Sequence, residues 1–242
     1  MPRLVQILCL VTVALIGSIA AAEPNNDTSI QKLHVEKFVI PEFPDFVRLT
    51  GNSKGIVTVA IGRDGEGRVN DVLVLDSTHP RLTQSVIAAV RQWKFTYPAN
   101  PAPHGREVVP IVRFLFSSKG ISLVSAQTGS GAAKERDMNE SAPVILPTFA
   151  DLDAPPKPIE HTMPRFTGAL AERVAGGEVT VKFFVDENGK VRVPIILDCT
   201  VPELGLAALA AVERWTYEPP RISGRETIAL ETETFGFGPP KR

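Results

Sequence analysis

The sequence has few cysteines and histidines, and it has no concentration of charge of one sign. Its two Cys and four His lie far apart, so their spacing indicates neither a disulfide framework nor a metal-ligand cluster. The 26 basic and 27 acidic residues nearly cancel, and no Lys/Arg run offers a positive field to nucleic-acid phosphates. We therefore expect no nucleic-acid partner, no metal and no cofactor.

The beginning of the chain also has little charge, since Arg3 is the only charged side chain before Glu23. The segment Leu4–Ala22 is uncharged and mostly apolar, and it ends in three small residues, Ala20–Ala22. This pattern predicts a secretory signal peptide over residues 1–22, cleaved after Ala22. An uncleaved membrane anchor stays open as the alternative, because about 17–25 apolar residues can span a bilayer.

The sequence contains an internal repeat. A shift of 122 positions lays Gly55–Pro98 on Gly177–Pro220 without a gap, with 17 identities in 44 positions. The identities include both tryptophans of the chain, Trp93 and Trp215. A repeat of this kind predicts two copies of one small domain.

Each copy has the pattern of an α+β domain. Alternating apolar residues predict a strand, a hairpin turn follows at residues 64–67 and 186–189, and a second strand returns. Pro80 and Pro202 then mark helix starts, and a third strand is predicted near 108–116 and 227–237. The fold class is therefore two tandem α+β domains, each a three-stranded antiparallel sheet packed on helices.

Prolines and glycines separate the two copies. We expect little regular structure in this linker, although Val144–Leu146 has the pattern of a short strand. Pro110 and Pro194 predict that the strands containing them lie at sheet edges. The predicted division is signal peptide 1–22, extension 23–40, first domain 41–118, linker 119–158, second domain 159–238 and tail 239–242.

Each copy resembles the C-terminal domain of TonB-type energy transducers. The resemblance rests on the Gly-x-Val-x-Val strand, the Asp…Gly-x-Val hairpin, the Ala-Val-x-x-Trp helix end and a last strand with two Phe. It implies a sheet packed against helices, and a binding mode in which an extended receptor segment adds as a strand beside the third strand. An exposed sheet edge offers the unpaired N–H and C=O groups that such binding needs.

The resemblance leads to two functional hypotheses. The first is a non-enzymatic periplasmic interaction module that binds segments of outer-membrane receptors or other envelope proteins. The second is an energy transducer anchored in the inner membrane by Leu4–Ala22 and coupled to outer-membrane receptors for nutrient or siderophore transport. Whether the two domains contact each other is left open by a linker of this length.

Most residues that stand out have a structural interpretation. Trp93 and Trp215 end amphipathic helices and are expected in the core. Cys199 aligns with Ser77 and is expected to be a buried small residue. The acidic hairpin at 186–189 lacks the later Glu of a calcium loop, so it is interpreted as a turn.

The remaining candidates are polar residues that recur in both copies. Asp76 and Asp198 are expected to cap the helices that follow them, and the Arg-Glu pairs at 106–107 and 225–226 to form loop ion pairs. Gly129 and Gly131 lack the third glycine and the preceding strand of a phosphate loop. No catalytic group recurs in both copies, so we expect no enzyme.

The two predicted third strands differ in one respect that bears on binding. Pro110 removes an N–H donor from the first, whereas the second has no Pro and carries charges that resist aggregation. We therefore predict that the peptide-binding edge lies in the second domain. Its residues are Thr227, Ile228, Ala229, Leu230, Glu231, Thr232, Glu233 and Thr234.

Overall fold

The structure is a computed structural model that describes residues 34–45, 54–96, 109–117, 120–126, 128–130, 144–164, 166 and 168–238. The predicted signal peptide or anchor, the C-terminal tail and the Arg-Glu pair at 106–107 lie outside these residues. None of the described helices is both long enough and apolar enough to cross a membrane.

The first repeat folds as an antiparallel sheet with one helix. The elements are β1 His34–Lys37, β2 Lys54–Arg63, β3 Val69–Ser77, α1 Pro80–Val90, β4 Lys94–Thr96, β5 Ile111–Ser117 and β6 Gly120–Ala126. The sheet has the order β3-β2-β5-β6, and a separate two-stranded ladder joins β1 to β4. The predicted α+β class is confirmed, but this sheet has four described strands rather than three.

Between the repeats lie β7 Thr128–Ser130, β8 Val144–Leu146 and a 3-10 helix at Phe149–Asp151. The second repeat comprises β9 Pro158–Glu160, α2 Gly168–Val174, β10 Glu178–Val185, β11 Val191–Cys199, α3 Pro202–Val212, β12 Thr216–Tyr217, β13 Arg221–Ile222, β14 Arg225–Glu226 and β15 Ala229–Gly236. Its sheet has three described strands, as predicted, in the order β11-β10-β15. The strand, hairpin, strand and long helix follow one another as in the first repeat, and α2 and the hairpin β13-β14 are additional described elements.

The helix starts differ from the predicted capping. Each long helix begins at its proline, but the N-cap of α1 is His79, whose Nδ1 accepts from the N–H of Arg81. The N-cap of α3 is Val201, which makes no side-chain capping bond. Asp76 and Asp198 are therefore not the caps, because the chain needs two further residues to turn from the strand into the helix.

Each repeat has a core between its sheet and its long helix. Trp93 and Trp215 are buried at the ends of their helices, as predicted, and their indole N–H groups donate to the carbonyls of Val39 and Thr162. A buried indole N–H needs such a partner. Both repeats bury the tryptophan and bond its indole N–H to a backbone carbonyl, and both have the same Ala-Val-x-x-Trp sequence at this point.

The segment between the repeats is more regular than expected. Val144–Leu146 forms β8, as predicted, and it pairs in parallel with β7. Gly120–Ala126, which lies inside the predicted linker, forms β6 and pairs with β5 along its whole length. The linker prediction missed this strand because its pairing depends on an edge that the local sequence does not show.

The two edge predictions based on proline have different outcomes. Pro194 lies in β11, which is an edge strand as predicted. Pro110 precedes β5, and β5 is an inner strand between β2 and β6, so the prediction that it forms an edge is wrong. Pro110 still fits, because only its carbonyl takes part in a bond, accepting from the N–H of Ile61.

A third apolar cluster contains residues of both repeats and of the segment between them. Its buried members are Ala60, Leu73, Ile111, Val144, Leu146, Phe184, Val193, Ile228 and Leu230. Beside this cluster, the guanidinium of Arg192 donates to Asp71 at 2.9 Å and to Asp186 at 3.1 Å. The hydrogen bond to Asp71, opposed by burial, raises the pKa of Arg192.

Candidate peptide-binding edge

The outer side of β15 is the candidate binding edge. β15 pairs with β10 from Ala229 opposite Val185 to Gly236 opposite Glu178, without a break in register. No described strand pairs with its other side. Unpaired backbone groups along such an edge can bond an added strand.

Backbone groups of alternate residues point away from β10. The N–H of Leu230 donates to the carbonyl of Pro147 at 2.8 Å, so the backbone N–H and C=O groups of Leu230 point away from β10. Because successive residues of a strand alternate in direction, the outward N–H and C=O groups farther along belong to Thr232, Thr234 and Gly236. The N-terminal end of the edge is thus covered by the segment after β8.

The carboxylate of Glu231 covers the next part of the edge. It accepts from the N–H of Phe149 at 3.1 Å and from the N–H of Thr232 at 3.0 Å. A charged side chain on a sheet edge hinders indiscriminate pairing. The stretch that remains for an added strand is Thr234–Gly236, extended to Thr232 if the Glu231 carboxylate moves.

An acidic cleft of about 630 Å³ adjoins this stretch. Its wall includes Glu231, Glu233 and Tyr217, together with the three prolines Pro155, Pro156 and Pro158. His161 also lines the cleft, with Nε2 3.5 Å from a Glu233 oxygen and its ring stacked on Trp215 at 3.7 Å between centroids. Burial, together with the carboxylates of Glu233 and Glu231, raises the pKa of the Tyr217 phenol.

The corresponding edge of the first repeat is occupied. There β6 pairs with β5 in continuous antiparallel register, from Ile111 opposite Ala126 to Ser117 opposite Gly120. The two repeats thus present different edges although their central strands are equivalent: Val57 of β2 pairs with Phe114, and Val179 of β10 pairs with Phe235.

The structure places the eight predicted edge residues in three environments. Thr227 and Ile228 precede β15, and Ile228, Ala229 and Leu230 are buried. The Glu231 carboxylate covers the outward N–H of Thr232, Glu233 lines the cleft, and Thr234 begins the open stretch. Sequence reasoning missed Phe235 and Gly236 on that stretch; the recurring pair of Phe in the last strand was the available signal.

The cleft residues His161 and Tyr217 were also missed. His161 follows β9 and Tyr217 belongs to β12, so neither lies on the strand that carries Glu233. No local pattern connects them to Glu233, so only the fold could bring them together.

The other singled-out residues have structural roles. Asp186 accepts from the N–H groups of Asn188 and Lys190, which confirms the turn interpretation of its hairpin. Glu226 pairs with Arg221 rather than Arg225, so the predicted pairing is wrong; β13 and β14 place Arg221 opposite Glu226. Cys199 is only partly buried against the second core, and desolvation followed by the charge of Asp198 raises its pKa.

Each repeat packs an antiparallel sheet against a helix, which defines a class of small α+β domain. Residues 164–236 match the family model described as Gram-negative bacterial TonB protein C-terminal. The predicted resemblance is therefore confirmed for the second repeat. It indicates a protein-interaction or energy-transducing role in the bacterial envelope.

One solved structure is similar to part of this chain. A solution NMR structure of the Pseudomonas aeruginosa TonB C-terminal domain matches with 25% identity and a TM-score of 0.31. The match covers 37% of this chain and 92% of the other. No curated protein matches this sequence.

Proposed function

We propose that the protein is a non-enzymatic, periplasmic interaction module that binds an extended protein segment by strand addition along β15. The observation that carries the proposal is the stretch Thr234–Gly236 beside the Glu231 carboxylate, with which no strand of the described residues pairs on its outer side. The family match of the second repeat supports it, because β15 lies within residues 164–236. The partner we propose is a segment of an outer-membrane receptor or another envelope protein.

Replacing Thr234 by proline tests this mode of binding. The N–H of Thr234 points away from β10, so Thr234→Pro removes a donor to the added strand without breaking a bond to β10. We expect about tenfold weaker binding of receptor N-terminal peptides, since a lost backbone hydrogen bond costs about 0.5–1.5 kcal/mol and the ring obstructs the edge. Isothermal titration calorimetry of the full chain would measure it.

Thr234→Ala is the matched control. It removes the hydroxyl that bonds Thr180 at 2.8 Å but keeps the backbone N–H, so we expect near-normal affinity. Equal affinities of the proline and alanine variants would count against strand addition at this edge.

We also propose that the two domains act as one body. The third apolar cluster and the bonds from Arg192 to Asp71 support this, because they join residues of both repeats. Burial of this many apolar side chains disfavours separation of the domains.

A periplasmic location depends on a separate proposal, namely that the signal peptide is cleaved after Ala22. We expect the mature chain to begin at Glu23, and mass spectrometry of protein purified from the envelope fraction would establish its first residue. A chain that retains Met1 in the membrane fraction would contradict cleavage and favour the anchored energy transducer.

A further inference from the structure

In the first repeat β6 occupies the edge that corresponds to the open edge of β15 in the second repeat. The side chains of β6 therefore indicate which side chains a strand added to β15 would need. Equivalence of the two edges follows from their central strands: Val57 and Val179 are repeat partners, so Phe114 corresponds to Phe235 and Phe116 to Phe237. In the first repeat, Leu123 lies opposite Phe114 and Ile121 lies opposite Phe116. Both β6 side chains pack against the first core.

A strand added to the β15 edge would also need apolar side chains, because two phenylalanine rings lie along it. Phe235 and Phe237 are only partly buried and pack against the second core, whereas Phe114 and Phe116 are buried members of the first core. Apolar side chains of an added strand opposite these two rings would complete the packing that Leu123 and Ile121 supply in the first repeat. Side chains on one face of a strand recur at every second residue, so the two apolar residues must be separated by one.

The two edges differ at the next position on the same face. In the first repeat Ser125 lies opposite Val112, and Val112 packs against the first core. The residue equivalent to Val112 is Glu233, and the one equivalent to Pro110 is Glu231. Two carboxylates therefore stand where the first repeat has apolar residues, and both line the cleft.

The groups that face these carboxylates leave the cleft negative. Tyr217, His161 and Glu231 line the cleft with Glu233, and no Lys or Arg of the described residues is among its lining. A basic side chain on an added strand, two residues after the second apolar residue, would lie beside Glu233. Two side chains of opposite charge that face each other on adjacent strands stabilise the pairing, whereas two of like charge destabilise it.

We propose that the β15 edge selects an antiparallel extended segment with the pattern apolar–x–apolar–x–Lys/Arg, its apolar residues opposite Phe237 and Phe235 and its basic residue opposite Glu233. This specificity rests on the proposed function, since it describes the segment that strand addition would bind. The direction of the segment is that of β6 on β5.

The sequence of β6 supplies the probe. The heptapeptide GISLVSA reproduces β6, and its sixth residue is the one that would lie opposite Glu233. Three blocked peptides with Lys, Gln or Glu at this position, each with the same solubilising tail, differ in one side chain only. Their affinities for the full-length mature chain can be measured by fluorescence anisotropy at low and high salt.

We expect the Lys peptide to bind about three- to tenfold more tightly than the Glu peptide, with the Gln peptide between them, and salt to reduce the difference. Glu233→Gln should remove most of this preference while the Gln peptide keeps its affinity. Glu187→Gln is the matched control, because Glu187 is exposed in a hairpin and does not line the cleft, and it should leave the preference intact.

The outcomes separate the specificity from the proposed function. If all three peptides bind equally and Thr234→Pro weakens all of them, strand addition holds and the charge specificity is overturned. If none binds while receptor peptides do, the pattern drawn from β6 is wrong. If none binds and the chain instead forms a dimer that Thr234→Pro dissociates, the occupant of the edge is a second copy, which also overturns the proposal.

Discussion

Gly67→Ala is expected to destabilise the first domain by about 3 kcal/mol or more. Gly67 has φ +78°, and a Cβ at this position would lie 1.9 Å from the carbonyl oxygen of Phe95. The N–H of Phe95 donates to the carbonyl of Gly67 at 2.8 Å, which fixes β4 against the hairpin. The left-handed conformation alone costs an alanine about 1–2 kcal/mol, and relieving the clash requires backbone movement.

Denaturant unfolding of the full chain would measure the loss. Gly65→Ala is the control in the same hairpin, since no atom lies within 4 Å of its added Cβ, and we expect a change close to zero. Similar unfolding midpoints for the two variants would contradict the close approach of the hairpin to β4. The equivalent residue of the second repeat, Gly189, has φ +78° and would place its Cβ 1.9 Å from the Tyr217 carbonyl oxygen.

Arg192→Met is expected to destabilise the protein by about 3 kcal/mol. The substitution keeps the apolar part of the side chain but leaves Asp71 and Asp186 without the cation that both carboxylates contact. Asp186 is only 5% exposed, and removal of one partner from a buried ion pair typically costs about 3–5 kcal/mol. We expect the loss as a lower midpoint in denaturant unfolding.

Arg221→Met provides the comparison. Arg221 pairs with Glu226, but both side chains are at least half exposed, so its removal should cost less than about 1 kcal/mol. A double-mutant cycle between Arg192→Met and Asp71→Asn isolates the bond that joins the repeats, with a coupling of about 0.5–3 kcal/mol expected. A coupling near zero would argue that the domains move independently.

The sequence predicted the fold best where local chemistry determines it. The hairpins at Asp64 and Asp186 form because each aspartate accepts from backbone N–H groups within four residues of it. Pro80 and Pro202 mark the helix starts because a first turn needs no N–H from its first residue. The tryptophans are buried because helical spacing puts them on the apolar face.

Prediction was weakest where a remote segment determines the environment of a strand. Whether β5 is an edge depends on β6, and the sequence of Gly120–Ala126 alternates too weakly to indicate its partner. The limits of the binding edge depend on Pro147 and Phe149, which reach Leu230 and Glu231 across more than 80 residues. Ile228 and Leu230 were predicted to be available because period-two alternation does not show what covers a strand.

The scarcity of clustered Cys, His and positive charge excluded several classes of protein, and the sequence by itself determined the repeat, the α+β elements and the two cores. Periodicity, turn residues and helix starts act over a few residues, and they recur in both copies. Only the tertiary structure decided which edge has no partner strand among the described residues, which acids line the cleft and which residues of the two repeats share the third apolar cluster. These features arise from contacts between segments that are distant in the sequence, and the two copies differ in these contacts. As a result, β6 covers the edge in the first repeat, whereas no described strand pairs with the outer side of β15 in the second.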